Sequence, residues 1–245
     1  MAPAHNAVRE LFYWVRYMDI KLYYTEKGSG EPLILLHGNG EDSGYFKEQI
    51  RFFSKHFRVI AVDTRGHGRS QRGTAPFTLS QFADDLKCFM DSMGIKKAHI
   101  LGFSDGANIA MIFALRYPSM TDRLILNSGN LFPSGMKLRV RLPIEAGYRL
   151  YSALSKVSIS AKRQAELLGL MTNEPDIRPS ELAAIKAKTL VIAGNKDMIK
   201  KSHTRLIAGS LPNSQLAIIC GDHFAAAKNP RVFDRVVYGF LTEKD

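Results

Sequence analysis

The sequence predicts an α/β protein built on a mostly parallel sheet with helices on both faces. Three observations lead there. Short β-branched and aliphatic runs recur at 32–36, 57–62, 97–102, 122–127, 188–193 and 214–220. Stretches of helical periodicity separate them, as crossover connections between parallel strands require. Ser104, Asp197 and His223 each follow the C-terminal end of such a run, the edge where open α/β sheets assemble their sites.

Taken in order, Phe12–Met18 and Ile20–Thr25 read as a short antiparallel pair, which with the six later runs makes eight strands. Lys27-Gly28-Ser29-Gly30 then turns the chain into the strand at 32–36. The clearest helix runs from Thr78 to Met93, where Phe82, Leu86, Phe89, Met90 and Met93 form one apolar stripe at helical spacing. That stripe is core. A second helix, Ala107 to Tyr117, follows the run Ala98-His99-Ile100-Leu101. Between Asn127 and Thr189 about sixty residues break the alternation. They are amphipathic and helical, with Tyr148, Leu150, Tyr151, Leu154, Leu167, Leu168, Leu170 and Met171 on the apolar side. Ordinary connections are far shorter. An insertion at 131–183, within a core domain of 1–130 and 184–245, accounts for this, and Pro175 and Pro179 mark the return.

Composition narrows the class. A chain of 245 residues with 45% hydrophobic and 23% charged residues buries one sizeable core. No run approaches a membrane span, and Met1 to Glu10 lacks an apolar signal core, so the expectation is cytoplasmic. Cys88 and Cys220 form no disulfide framework and are expected to be buried thiols in a helix and a strand. The net charge of +11 is spread along the chain, with no polybasic block or nucleic-acid motif. Its densest patch is Lys137, Arg139, Arg141, Arg149, Lys156, Lys162 and Arg163. A solvated face explains that patch; an electrostatic funnel for anionic substrates is the alternative.

The chemistry centres on Gly102-Phe103-Ser104-Asp105-Gly106, a G-x-S-x-G pattern between a strand and a helix. The serine must occupy a tight, strained turn that lifts its hydroxyl to the positive end of the helix, and side chains at the glycine positions would clash. Ser104 read only as a helix N-cap leaves the flanking glycines unexplained. Asp197 ends the strand–turn segment Leu190-Val191-Ile192-Ala193-Gly194-Asn195-Lys196-Asp197. Asp122 begins a strand, Asp176 lies in the insertion's exit, and Asn127-Ser128-Gly129 offers no carboxylate. His223 follows the last strand in Cys220-Gly221-Asp222-His223, and Asp222 is too close in sequence to orient its neighbour's ring. His5, His56, His99 and His203 have no motif context.

With these residues in place, the chain resembles the α/β-hydrolase-fold serine hydrolases over nearly its whole length. The order Ser…Asp…His is that family's order. Pro32-Leu33-Ile34-Leu35-Leu36-His37-Gly38-Asn39-Gly40 resembles its strand and His-Gly-x-Gly loop. Asp63-Thr64-Arg65-Gly66-His67-Gly68-Arg69-Ser70 resembles its Asp-x-Arg-Gly-His-Gly-x-Ser loop, and Leu211-Pro212-Asn213-Ser214 is also similar. The Ser-Asp-Gly form of the elbow is similar to that of the valacyclovir hydrolases and related bacterial esterases. The resemblance implies an eight-stranded sheet with a helical cap inserted after strand six. It implies structural roles for His37 and His67, and an oxyanion hole formed by the backbone N–H groups of Asn39 and Asp105. For the Asp105 carboxylate two readings stand: it complements the positive helix end, or, as the valacyclovir-hydrolase likeness implies, it binds a substrate cation.

The expected reaction is cleavage of a small carboxylic ester through an acyl-enzyme, with Ser104 as nucleophile, His223 as base and Asp197 as the orienting acid. C–C bond, thioester or lactone hydrolysis, perhydrolysis and slow-turnover ligand sensing are alternatives on the same residues. The absence of a P-loop, a dinucleotide fingerprint and a metal-ligand pattern gives the expectation of no cofactor and no metal. The partner expected is a small acyl substrate, with no nucleic acid and a monomer or homodimer.

Overall fold

In the computed structural model, which describes residues 19–243, seven strands form one sheet in the order β1-β3-β2-β4-β5-β6-β7. They are β1 (Tyr24–Lys27), β2 (Pro32–Leu36), β3 (Arg58–Val62), β4 (Ala98–Phe103), β5 (Thr121–Asn127), β6 (Lys188–Gly194) and β7 (Ser214–Ile219). All pairs are parallel except β1 against β3. The first antiparallel element differs from expectation. β1 begins at Tyr24 rather than Ile20, and it pairs with β3 from Tyr24 opposite Val62. The strand expected at Phe12–Met18, which would make eight, lies outside the described residues.

The strands' side chains alternate between two cores. Leu33, Leu35, Val59 and Ala61 face one side; Ile34, Leu36, Ile60 and Val62 face the other. The first side is covered by α1 (Lys47–Phe53) and the C-terminal α8 (Pro230–Thr242), after the short α7 (Ala225–Lys228). The second is covered by α2 (Leu79–Ser92), α3 (Asp105–Arg116) and α6 (Lys201–Ser210). Because both faces are covered, β2 to β6 read as continuous apolar runs. The expected α2 stripe is realised: Phe82, Leu86, Phe89 and Met90 are buried. Thr78 caps its N-terminus through a bond from the Gln81 N–H at 3.1 Å.

The long interval after β5 contains α4 (Leu138–Leu154) and α5 (Ile159–Asn173), packed against each other. α5 buries Ala161 and Leu170, whereas α4 buries no residue fully. The expectation for the cysteines fails in part. Cys88 is half-buried, and Cys220 lies one residue past β7 and is exposed. The strand stops at Ile219 because Gly221, at φ 144°, begins the turn that carries His223.

Candidate active site

β4 ends at Phe103, and the chain reverses into α3 within one residue. Ser104 takes φ 53° and ψ −118°, a conformation that costs a serine about 1–3 kcal/mol. The two glycines make the turn possible. A Cβ at Gly102 would lie 2.2 Å from the Gly106 carbonyl oxygen, and one at Gly106 would lie 2.0 Å from that of Leu36. Register sets the rest of the site. Phe103 pairs with Asn127 and Asn127 with Ile192, so β4 and β5 end level while β6 runs two residues further, to Gly194.

At that edge the three sequence candidates meet. Ser104 Oγ lies 3.0 Å from His223 Nε2, and His223 Nδ1 lies 2.7 Å from Asp197 Oδ1. With Nδ1–H donating to the carboxylate, Nε2 is free to accept the serine proton. Burial pushes the Asp197 carboxyl up, but the His223 hydrogen bond and charge outweigh it, helped by Ser128 and the Ile199 N–H. The carboxyl is therefore held below the usual range. Phe103 and Phe224 pack on the imidazole, with ring centroids 5.0 and 5.5 Å away.

The other residues fall where the sequence puts them, or away from the site. Asp222 is exposed, receiving the Phe224 N–H at 3.0 Å and the Lys228 ammonium at 2.5 Å. Asp122 sits at the opposite end of the sheet, paired with Lys97. His37 and His67 are buried loop ties. His37 Nε2 accepts the Thr64 N–H at 3.0 Å, and His67 Nδ1 stands 3.0 Å from the Arg65 carbonyl. Arg65 is fully buried and grips Asp85 with two bonds of 2.7 Å, so this loop is a structural strap.

The Asn39 and Asp105 N–H groups donate to no described residue. Asn39 also uses its side chain: Nδ2 donates to Asp105 Oδ2 at 2.9 Å and to the Leu167 carbonyl at 2.8 Å, linking the elbow to α5. The second Asp105 oxygen faces Asn108 Nδ2 at 3.3 Å. Burial raises this carboxyl from 3.8 to about 6, against the Asn39 bond, and the nearby Glu174 charge adds to the rise.

Sequence reasoning missed three contributors. Ser128, with φ 59°, turns its hydroxyl onto Asp197 Oδ2 at 2.5 Å. Its only sequence signal is its position at the end of β5, one strand away from the acid. Lys137 bonds the Asp197 carbonyl, tying the start of the insertion to the acid loop. Glu41 accepts the Gly38 N–H at 3.3 Å, and burial raises its carboxyl to about 7.

Comparison with known proteins gives a consistent picture. A sequence model of the α/β hydrolase fold matches residues 31–148. The 2-hydroxy-6-oxo-6-phenylhexa-2,4-dienoate hydrolase of Burkholderia cepacia is 28% identical over 273 residues, covering 91% of this chain and 92% of that one. A protein of Azorhizobium caulinodans, provisionally named as the carbamate hydrolase RutD, is 26% identical over 257 residues, with coverage of 93% and 97%. Among solved structures, an enol-lactonase from Burkholderia xenovorans superposes with a TM-score of 0.77 at 22% identity, covering 91% of this chain and 97% of its own.

Proposed function

Because this chain belongs to the α/β-hydrolase-fold family, we propose that it is a serine hydrolase cleaving a small carboxylic ester through an acyl-enzyme. The observation carrying this reading is the unbroken hydrogen-bond chain from Ser104 through His223 to Asp197, begun on a strained turn. In the first step His223 Nε2 takes the Ser104 proton as Oγ attacks the acyl carbon, and the carbonyl electrons move onto oxygen. The Asn39 and Asp105 N–H groups receive that oxyanion. Collapse of the intermediate expels the alcohol, which takes the proton from His223. Water, deprotonated by His223, then attacks the acyl carbon, the acyl–Ser104 bond breaks with His223 returning the proton to Ser104 Oγ, and the acid is released. Asp197 holds the tautomer and stabilises the imidazolium throughout. Residues 131–183 act in this scheme as a cap, with α5 reaching the elbow through the Leu167–Asn39 bond.

A second reading has an observation of its own. The relative from Burkholderia cepacia is named for hydrolysis of a dienoate, so a C–C bond α to a carbonyl is the alternative scissile bond. Ser104→Ala is expected to abolish fluorophosphonate labelling and turnover of p-nitrophenyl esters, with unchanged thermal unfolding. Asp197→Asn is expected to lower kcat by on the order of 10⁴. A panel of short esters, amino-acyl esters and a vinylogous 1,5-diketone distinguishes the bond classes. Faster cleavage of amino-acyl esters, lost in Asp105→Asn, is the result that assigns the Asp105 carboxylate to a substrate cation. Near-wild-type turnover by Ser104→Ala would end the serine mechanism altogether.

A further inference from the structure

The helix α4 has an inverted surface. A helix at the edge of a water-soluble protein normally turns its polar side outward. On α4 the exposed positions carry Leu138, Leu142, Leu150 and Leu154, with Pro143, Ala146 and Ala153 between them. Its exposed charges are Arg139 and Arg149, and no acidic residue lies on that side. Glu145, the one acid of the helix, is half-buried and paired with Arg141 at 3.0 Å. The apolar band continues through the turn into α5, where Val157 is 83% and Ile159 is 90% exposed. Lys156, Lys162 and Arg163 flank that turn, all exposed. The side chains of these five cations make no hydrogen bond or ion pair with a described residue.

We propose that this face, the outer side of α4 with the α4–α5 turn, docks on an anionic bilayer surface. Charge and shape select that occupant. A second copy of the same face would set arginines against arginines with no acid to receive them. The first eighteen residues carry Arg9 and Arg16 against a single Glu10, so they offer no charge complement either. A bilayer interface matches both parts of the pattern at once: leucines enter the acyl boundary while the long cationic side chains reach anionic headgroups. No helix of the described residues is long and apolar enough to cross a membrane, so the attachment is peripheral.

The docked face also borders a cavity of about 640 Å³ whose wall includes Ile159, Lys162, Arg163 and Leu167. Leu167 is the residue whose carbonyl accepts from Asn39, the loop residue that also bonds Asp105. Docking therefore brings the mouth of this cavity to the lipid surface.

The test is co-sedimentation of the full chain with vesicles of phosphatidylcholine alone, or with about one-third phosphatidylglycerol, in low and high salt. Binding is expected to the anionic vesicles only and to weaken with salt. Arg139→Gln and Arg149→Gln are each expected to weaken it roughly fivefold. Leu142→Asp with Leu150→Asp is expected to abolish it while unfolding temperature and soluble-ester turnover stay at wild-type values. Failure to bind anionic vesicles overturns the proposal. So does binding that survives the leucine pair, or binding lost on removing residues 1–18 with the leucine pair neutral. A concentration-dependent dimer that the leucine pair dissolves, or binding to polyglutamate without lipid, would assign the face to a protein partner instead.

Discussion

Two serines carry the strain of this site. Ser104 and Ser128 are the non-glycine residues with positive φ among those described, and both stand at the ends of adjacent strands. Ser104 is held there by its own backbone: its N–H donates to the Asn127 carbonyl at 2.9 Å, and its carbonyl receives the first bonds of α3. Ser128 is held by its N–H to the Ile192 carbonyl, also at 2.9 Å, which aims the hydroxyl at Asp197. In the proposed mechanism Ser128 is thus a positioning residue for Asp197. Ser128→Gly removes the hydroxyl without adding strain, since glycine takes φ 59° freely. The expected result is a fall in kcat of about tenfold with little change in KM, because a hydrogen bond to a charged group contributes about 1.5–3 kcal/mol and Ile199 and His223 still hold Asp197. Steady-state kinetics and a pH–rate profile check this; an unchanged kcat would leave Ser128 a packing residue only.

At the scale of elements, the insertion is anchored unevenly. α4 buries nothing fully, while Leu131, Leu170, Ile177 and Leu182 belong to the main core. The exit segment also serves α2. Glu174 accepts the Leu79 N–H at 2.7 Å, filling one of the open donors at that helix's N-terminus. Burial raises the Glu174 carboxyl against this bond. Glu174→Ala is expected to lower the unfolding temperature by about 2–4 °C, corresponding to roughly 1 kcal/mol. Glu174→Gln keeps an acceptor and is expected to lose less. Equal losses in the two variants, read by thermal unfolding, would make the charge rather than the hydrogen bond the stabilising feature.

For the whole molecule, buried titratable groups of opposite type oppose each other. Burial pushes His67 and His203 down to about 4, and lowers His37 as well. Between that value and the ordinary 6.5 the unfolded chain carries protons that the folded chain does not, so these histidines make stability rise with pH. Burial raises Asp105 and Asp234 to about 6 and Glu41 to about 7. Over the same range the folded chain keeps protons that the unfolded chain has lost, so these acids make stability fall with pH. Glu174, raised by burial as well, makes four acids against three histidines, and a shallow fall in stability with rising pH is expected between about pH 4.5 and 6. Asp105→Asn removes one acid and tilts the balance. It is expected to stabilise the fold by roughly 2–3 kcal/mol at pH 7 and by almost nothing at pH 4. Denaturant unfolding at the two pH values checks it, and a destabilised variant at pH 7 would show that the Asn39 bond to the charged carboxylate outweighs its burial.

The sequence by itself determined the features that depend on local chemistry. Short aliphatic runs located the six parallel strands, and a period-3.6 stripe located α2, to within a residue or two, because burial on both faces of the sheet leaves unbroken apolar runs. The elbow glycines were legible because no other residue fits against the Gly106 and Leu36 carbonyls. Ser104, Asp197 and His223 were legible because each ends a strand. Contacts between distant segments were decided by the tertiary structure alone. Asn39 reaches Asp105 across 66 positions, Ser128 reaches Asp197 across 69, and Lys137 reaches the same loop across 60. Nothing local marks such residues, since an asparagine, a serine and a lysine suit any loop. The same holds for Cys220, which an apolar run carried into the strand until the Gly221 turn put it in solvent. The sequence of α4 likewise shows amphipathicity but not which side faces out. Packing against α5 decides that, because only one side of the helix finds a partner there, and the leucines are left on the other.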